Sequence, residues 1–369
     1  MKKTFVNKLL MVAGLLGFAS LYSVEQSTLE KQGHCINEKQ MEKAYSLPAR
    51  FDVNNSWDTF FTASFIYWQA RQGSLDLTRI EYNTSRQVLQ HDPSSPITDV
   101  IRNFSFDYEP GFKVGLGINL MHDDWVLYSE YTRLHGKSDR TVINPTPFGD
   151  PSSNLSPLFH RAVTDYETVT GTYDARCDFI DLQLSRPFYS GTQLTIDPHF
   201  GLRGGWITQH VNSYNHFYDI DPNIGLEEIF YTYSKSWFVG PRIGFNGSWL
   251  LGKGFRICGN LSGGLYYQHI KAYAKSFDEV VTRPGEISTW NRHILTQLAP
   301  SVESGIGFAW GMYLGNHGYH LDFSALYDFT YFWNQGAIRT LFDESFNSVK
   351  TNPAGFFLHG LTINTRFDF

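Results

Sequence analysis

The chain has 369 residues, 36 of them Asp or Glu against 30 Lys or Arg, and 16% of it is aromatic. A formal charge of −6 argues against nucleic-acid binding, which relies on Lys and Arg to neutralise phosphates. Beyond the amino-terminus no apolar run approaches the ~20 residues of a spanning helix, which argues against a helical membrane protein as well.

The amino-terminus reads as an export signal. Lys2, Lys3 and Lys8 precede an apolar run, Leu9 to Ala19, that carries small residues at Gly17 and Ala19. That is the layout of a secretory signal peptide over residues 1–19, cleaved after Ala19 or as late as Ser23. Its removal takes away three lysines and no acid, so the formal charge goes from −6 to −9. Residues 20–55 are polar, lack strand alternation and are expected to form a periplasmic segment, with a short helix through Glu38–Tyr45 as one alternative. Cys35, Cys177 and Cys258 are candidates for disulfides. Three thiols leave at least one unpaired or bonded to another chain. Their spacing is not that of a zinc site, and no metal or other cofactor is expected.

From Trp57 on the pattern changes to period two, the mark of strands with two unlike faces. Ten segments stand out: Phe60–Ala70, Phe112–Leu120, Trp125–Leu134, Asp174–Arg186, Leu194–Trp206, Ser236–Trp249, Phe255–Tyr267, Pro300–Leu314, His320–Trp333 and Phe356–Phe369. In His320–Trp333 the residues Leu321, Phe323, Ala325, Tyr327, Phe329, Tyr331 and Trp333 alternate with His320, Asp322, Ser324, Asp328 and Thr330. Short links (121–124, 187–193, 250–254, 315–319) alternate with long ones (71–111, 135–173, 207–235, 268–299, 334–355). Brief periplasmic turns on one side and extended surface loops on the other are the habit of outer-membrane barrels. A Greek-key sandwich has no reason to keep that alternation.

The predicted fold is therefore all-β: a transmembrane antiparallel up-and-down barrel over residues 56–369, with about 10 strands. Twelve is the alternative, because Leu75–Glu81 and Ile101–Asp107 also alternate and could add a hairpin to the wall. The apolar face of each strand is assigned to acyl chains. Tyr67, Trp68, Trp125, Trp206, Trp237, Trp249, Trp310, Tyr331 and Trp333 sit at segment ends, where amphipathic rings settle at headgroup level. The polar face is assigned to the lumen, with Lys113, Asp197, His199, Arg203, Arg242, Arg256, Glu303, Asp322, Asp328 and Arg366 as pore-lining candidates. Such charges could line a wet channel or pair across a narrow barrel and plug it. The pairs Asp197/His199 and His320/Asp322 fall far short of a catalytic constellation, and no enzyme activity is expected.

The last strand ends on a bare phenylalanine. With Phe367 and Phe369 in the lipid-facing phase, it resembles the assembly signal of bacterial outer-membrane barrels, which implies the barrel-assembly machinery as a partner beside outer-membrane lipid. A second resemblance is more specific. Asp107 to Lys137 (DYEPGFKVGLGINLMHDDWVLYSEYTRLHGK) resembles a hairpin of the pore-forming major outer-membrane proteins of Legionella and of the MOMP-like proteins of chlamydia-like bacteria. Pro110, Gly111, Phe112, Gly115, Gly117, Asp123, Trp125, Tyr131 and Thr132 carry it, and Phe65–Arg71 is similar to the family's first strand. Asp124 departs from the family, which usually has glycine there. The resemblance implies a surface porin for small hydrophilic solutes. It also implies disulfide cross-links to other envelope proteins, which would suit Cys35. The competing reading is a plugged barrel that acts as scaffold or adhesin through its long loops. Oligomeric state is left open.

Overall fold

The structure is a computed structural model that describes residues 47–54, 57–73, 75–83, 97–120, 123–147, 153–157, 166–218, 227–279, 287–338, 341 and 355–369. The signal peptide, Glu38–Tyr45 and Cys35 lie outside the described residues. Ten long strands form the wall: β1 (Thr59–Gln72), β4 (Tyr108–Asn119), β5 (Val126–Ile143), β7 (Tyr166–Ser185), β9 (Leu194–Phe217), β10 (Glu227–Gly252), β11 (Phe255–Glu279), β12 (Ile287–Leu314), β13 (Tyr319–Phe332) and β14 (Phe356–Asp368). Each pairs antiparallel with the next, and β14 returns to β1, so the sheet is closed. In that last seam Phe65 faces Ile363 and Tyr67 faces Leu361. Closure leaves no sheet edge, and hydrocarbon tolerates only a sheet of that kind because it offers unpaired amides no partner.

The outer face confirms the solvent assignment. Ile243, Ile306 and Phe308 are 69%, 68% and 66% exposed, and Phe65, Phe200, Leu202 and Leu265 lie on the same outside surface. Apolar area on that scale is unsustainable in water and natural in a bilayer. Trp68 is a correction to the expected girdle. It has the opposite phase to Tyr67, is 4% exposed, and donates from Nε1 to Thr362 Oγ1 at 3.0 Å inside the barrel.

Three segments lie outside the wall. β2 (Asp76–Asn83) and β3 (Ile97–Asn103) form the hairpin suspected in the first long link, but they do not add strands eleven and twelve. With β6 (Ser153–Pro157) on the other side of β2, they make a separate three-stranded sheet. Leu75, Leu77, Ile80, Phe104 and Leu155 bury themselves against wall residues such as Val169, Tyr173 and Ala175. The sheet therefore sits inside the outer half of the barrel. A methyl group at Gly171 would overlap both Leu77 and Phe104, so that wall position accepts the insert only as glycine. The hairpin's alternation is interrupted by a bulge between Asp76 and Thr78, which lets Leu77 and Ile80, of opposite phase, both enter a protein core. Period two cannot tell such a core from lipid.

The long links are also shorter than expected. β5, β7 and β9 to β12 run well past the predicted ends, and β12 alone has 28 residues. The cause is a mixed character on both sides. Above the bilayer Ile229, Tyr231 and Lys235 face out while Glu228, Phe230 and Thr232 face in, so the simple phase rule loses its signal.

The opposite end holds the tight turns. Asp123 and Asp124 have φ of 56° and 58°. Leu120 N donates to Trp125 O at 2.7 Å, so four residues, 121–124, make the connection. Asp124 takes the left-handed backbone there that glycine adopts most readily and that Asp tolerates better than most residues. In the β10–β11 turn Lys253 takes φ of 53° between Gly252 and Gly254. Left-handed backbone costs a side-chain-bearing residue roughly 1–2 kcal/mol. Lys253→Gly is expected to stabilise the barrel by about 1 kcal/mol, read by urea unfolding in lipid vesicles; an unchanged or lowered midpoint would contradict this.

Pro187–Gln193 is more than a turn. β8 (Phe188–Ser190) folds back on β9, and the chain before the barrel pairs onto it. Ala49 donates to Pro187 O at 3.1 Å and Tyr189 donates to Leu47 O at 2.9 Å. Residues 47–54 are thus bound at the periplasmic mouth and not left as a free leader.

Candidate functional site: the barrel lumen

All ten charged candidates project into the lumen, because each shares its strand's inward phase. They fall into two tiers. In the middle tier Arg203 grips Asp181 with two hydrogen bonds, Nε to Oδ1 at 2.6 Å and Nη2 to Oδ2 at 3.0 Å. Arg203 also contacts Glu303, and Glu303 accepts from Arg242 Nη2 at 2.8 Å. The result is an alternating row, Asp181–Arg203–Glu303–Arg242, that ties β7, β9, β10 and β12 together. Planar guanidinium forks suit such bidentate pairing better than lysine does. Lys113 lies 3.9 Å from Glu130 and packs over the Trp68 ring at 4.7 Å. Asp328 accepts from Thr362 at 2.6 Å, and His199 is buried beside the same space.

The lower tier lies at the periplasmic mouth. Arg256 pairs with Asp322, and Arg366 forks onto Asp368 at 2.6 Å and 3.0 Å. Asp197 accepts from Asn246 at 3.1 Å. Between the two guanidiniums stands Phe51, from the segment before the barrel. Arg256 and Arg366 each lie 5.1 Å from its ring centroid, and His320 stacks on it at 4.0 Å. Cation–π contacts of this kind hold a ring at roughly 0.5–2 kcal/mol apiece. Phe51 occupies the entrance as a cork, and nothing in its own polar neighbourhood could have announced it.

Two cavities follow one another along the axis. The middle one, about 280 Å³, is bordered by Lys113, Glu130, Arg203, Arg242 and Asp328. The lower one, about 290 Å³, is bordered by Phe51, Asp197, Arg256 and Arg366. Tyr128, Gln183, Asn246 and Asn364 border both. Above the middle tier the character changes at a layer of rings. Phe332 lies 5.6 Å from Phe179, 5.6 Å from Phe238 and 6.2 Å from Tyr266. The apolar core of the inserted sheet continues above that layer.

The remaining candidates separate from the site. Cys177 is buried in the apolar core and Cys258 lies in the polar tier with Sγ 3.4 Å from Ser248 Oγ. Both are free thiols, so they do not form a disulfide with each other. Of the Asp/His pairs, His320 Nδ1 lies 3.3 Å from Asp368 and Asp322 holds Arg256, whereas both ring nitrogens of buried His199 lack a hydrogen-bond partner. Phe367 is on the lipid face and stacks on Tyr319 at 5.6 Å, with Phe369 5.9 Å from Phe367.

A closed ten-strand barrel with a greasy exterior and a charged interior defines an outer-membrane β-barrel protein. Residues 51–369 match the family described as Legionella pneumophila major outer membrane protein precursor, and the chain belongs to that family. No curated protein matches it. Among solved structures it is similar to the outer membrane protease OmpT of Escherichia coli, at 10% identity and a TM-score of 0.38, covering 87% of this chain and 99% of that one. It is also similar to the toluene transporter TodX of Pseudomonas putida, at 7% identity and a TM-score of 0.21, covering 87% and 95%. Likeness at that level carries no argument about either activity.

Proposed function

We propose that the protein is a porin-like barrel that lets small hydrophilic solutes or ions cross the outer membrane passively, without a catalytic step. The observation that supports this reading is the pair of consecutive cavities bordered by fixed charges of both signs, Lys113, Arg203, Arg242, Glu303 and Asp328 above, Asp197, Arg256 and Arg366 below. Fixed charges replace part of an ion's hydration shell, which is how rings of side chains favour entry into a pore. In the present conformation the route is shut at two levels, by Phe51 below and by the Phe179–Phe238–Tyr266–Phe332 layer above. Passage then requires that one or both give way.

That same apolar layer favours a second reading, a permanently closed barrel that acts through its outer surface. The second long link supports it less than its length suggests, because Ser153–Pro157 is a strand of the insert. Planar-bilayer recording on the refolded full chain separates the two readings. Stepwise conductance in the wild type, enlarged by Phe51→Ala, supports the porin. Silence in both proteins supports the closed barrel.

A further inference from the structure

The wall of β10, β11 and β12 carries an unbalanced cationic patch just outside the bilayer. Reading the outward-facing positions upward by register, Val239, Tyr267 and Leu298 form an apolar row. Trp237 and His269 come next, with ring centroids 6.2 Å apart. One row higher, Lys235 and Lys271 stand directly opposite each other. Above them Tyr233 and Tyr273 stack at 6.3 Å, and Arg292 lies over the Tyr273 ring at 5.5 Å.

Two lysines paired across a ladder repel, and such juxtapositions are destabilising unless something anionic lies between them. No acid occupies the outward positions from 231 to 239 on β10, from 267 to 275 on β11 or from 292 to 298 on β12. The contrast with the β5–β7 wall is direct. There Asp174 lies 3.2 Å from Arg176 and 2.8 Å from His135, so that arginine already has its anion.

We infer that Lys235, Lys271 and Arg292 form an exterior binding site for the phosphorylated headgroup of an outer-leaflet lipid, whose acyl chains lie on the apolar rows below. Height selects this occupant. The patch begins one row above Trp237, and amphipathic rings mark the headgroup level. Tyr233 and Tyr273 offer flat faces to the sugar or glycerol part of the headgroup. An anion bridging Lys235 and Lys271 would also remove their mutual repulsion, so the lipid would stabilise the wall it binds. The site lies outside the barrel and is independent of whether the lumen conducts.

The test is native mass spectrometry of the refolded full chain in detergent. The probes are a bisphosphorylated lipid A, the same lipid without phosphates, and inorganic phosphate. Lys235→Gln with Lys271→Gln is the test variant, and Lys253→Gln, on the periplasmic turn, is the charge control. All of these are surface changes, and heat-modifiable gel mobility reports folding. The expected result is roughly 30-fold weaker lipid binding in the double variant, at about 1 kcal/mol per cation near an anionic surface, with the control unchanged. The lipid without phosphates should bind the wild type and the double variant equally weakly. Equal retention of the phosphorylated lipid by wild type and double variant would overturn the proposal. So would displacement of that lipid by millimolar inorganic phosphate, which would make the site one for a free anion.

Discussion

Arg203→Ala is expected to cost about 3–5 kcal/mol of folding stability, read as a lowered urea midpoint in lipid vesicles. Arg203 and Asp181 have side chains 8% and 6% exposed, and Glu303 is 12% exposed. Truncating the arginine leaves two carboxylates facing an apolar ceiling with only Arg242 between them. The penalty is the desolvation of those carboxylates and not the intrinsic strength of the lost pair. Replacing both members of the bidentate pair, Arg203→Met with Asp181→Leu, should recover most of the loss and leave Arg242 to neutralise Glu303. A loss below about 1 kcal/mol for the single variant, the value of a solvated ion pair, would mean that water screens the row far better than its burial implies.

Phe332→Ala is the second large effect. Phe332 is fully buried, and Phe179, Phe238 and Tyr266 all pack on it. Loss of a buried phenylalanine side chain costs about 3–5 kcal/mol when the surroundings cannot collapse into the hole. Barrel walls bonded on both sides are poorly placed to collapse. The same hole lies in the layer that separates the charged tiers from the apolar insert, so the variant should also show larger and more frequent conductance steps than wild type in planar bilayers. Phe332→Leu keeps most of the volume and should recover most of the stability. A silent Phe332→Ala barrel of normal stability would mean that the ring is neither structural keystone nor seal.

The residues that meet lipid or lumen charge were legible because two unlike solvents impose period two on the strands. His320–Trp333 and Phe356–Phe369 read correctly to the residue phase, and the inward positions of Lys113, Arg203 and Glu303 followed from that phase alone. Legibility failed where the two solvents stop differing in that way. Asp76–Asn83 breaks its alternation at a bulge, so that Leu77 and Ile80, of opposite phase, both meet protein. Glu227–Lys235 continues β10 with charged and apolar residues on both faces, Glu227, Tyr233 and Lys235 outside and Glu228 and Phe230 inside. Trp68 shows the limit of reasoning from residue type, since an interfacial ring and an interior hydrogen-bonding ring differ only by one step along the chain. Phe51 carried no signal, because its role depends on Arg256, Arg366 and His320, all more than 200 positions away.

The unequal strand lengths have one more consequence. β13, β14, β1 and β4 have 14, 13, 14 and 12 residues, whereas β9 to β12 have 24 to 28. At ~3.3 Å per residue the second group is roughly twice as long, so the rim is a slope and not a level ring. On the tall side the hydrogen-bonded ribbon itself, and not only the links that cap it, stands clear of the short strands and within reach of a protease or an antibody arriving from outside the cell. Cleavage after Lys235 or Lys271 first demands that a strand bonded to both neighbours open locally, which ties surface shaving of the organism to the local unfolding energy of that wall.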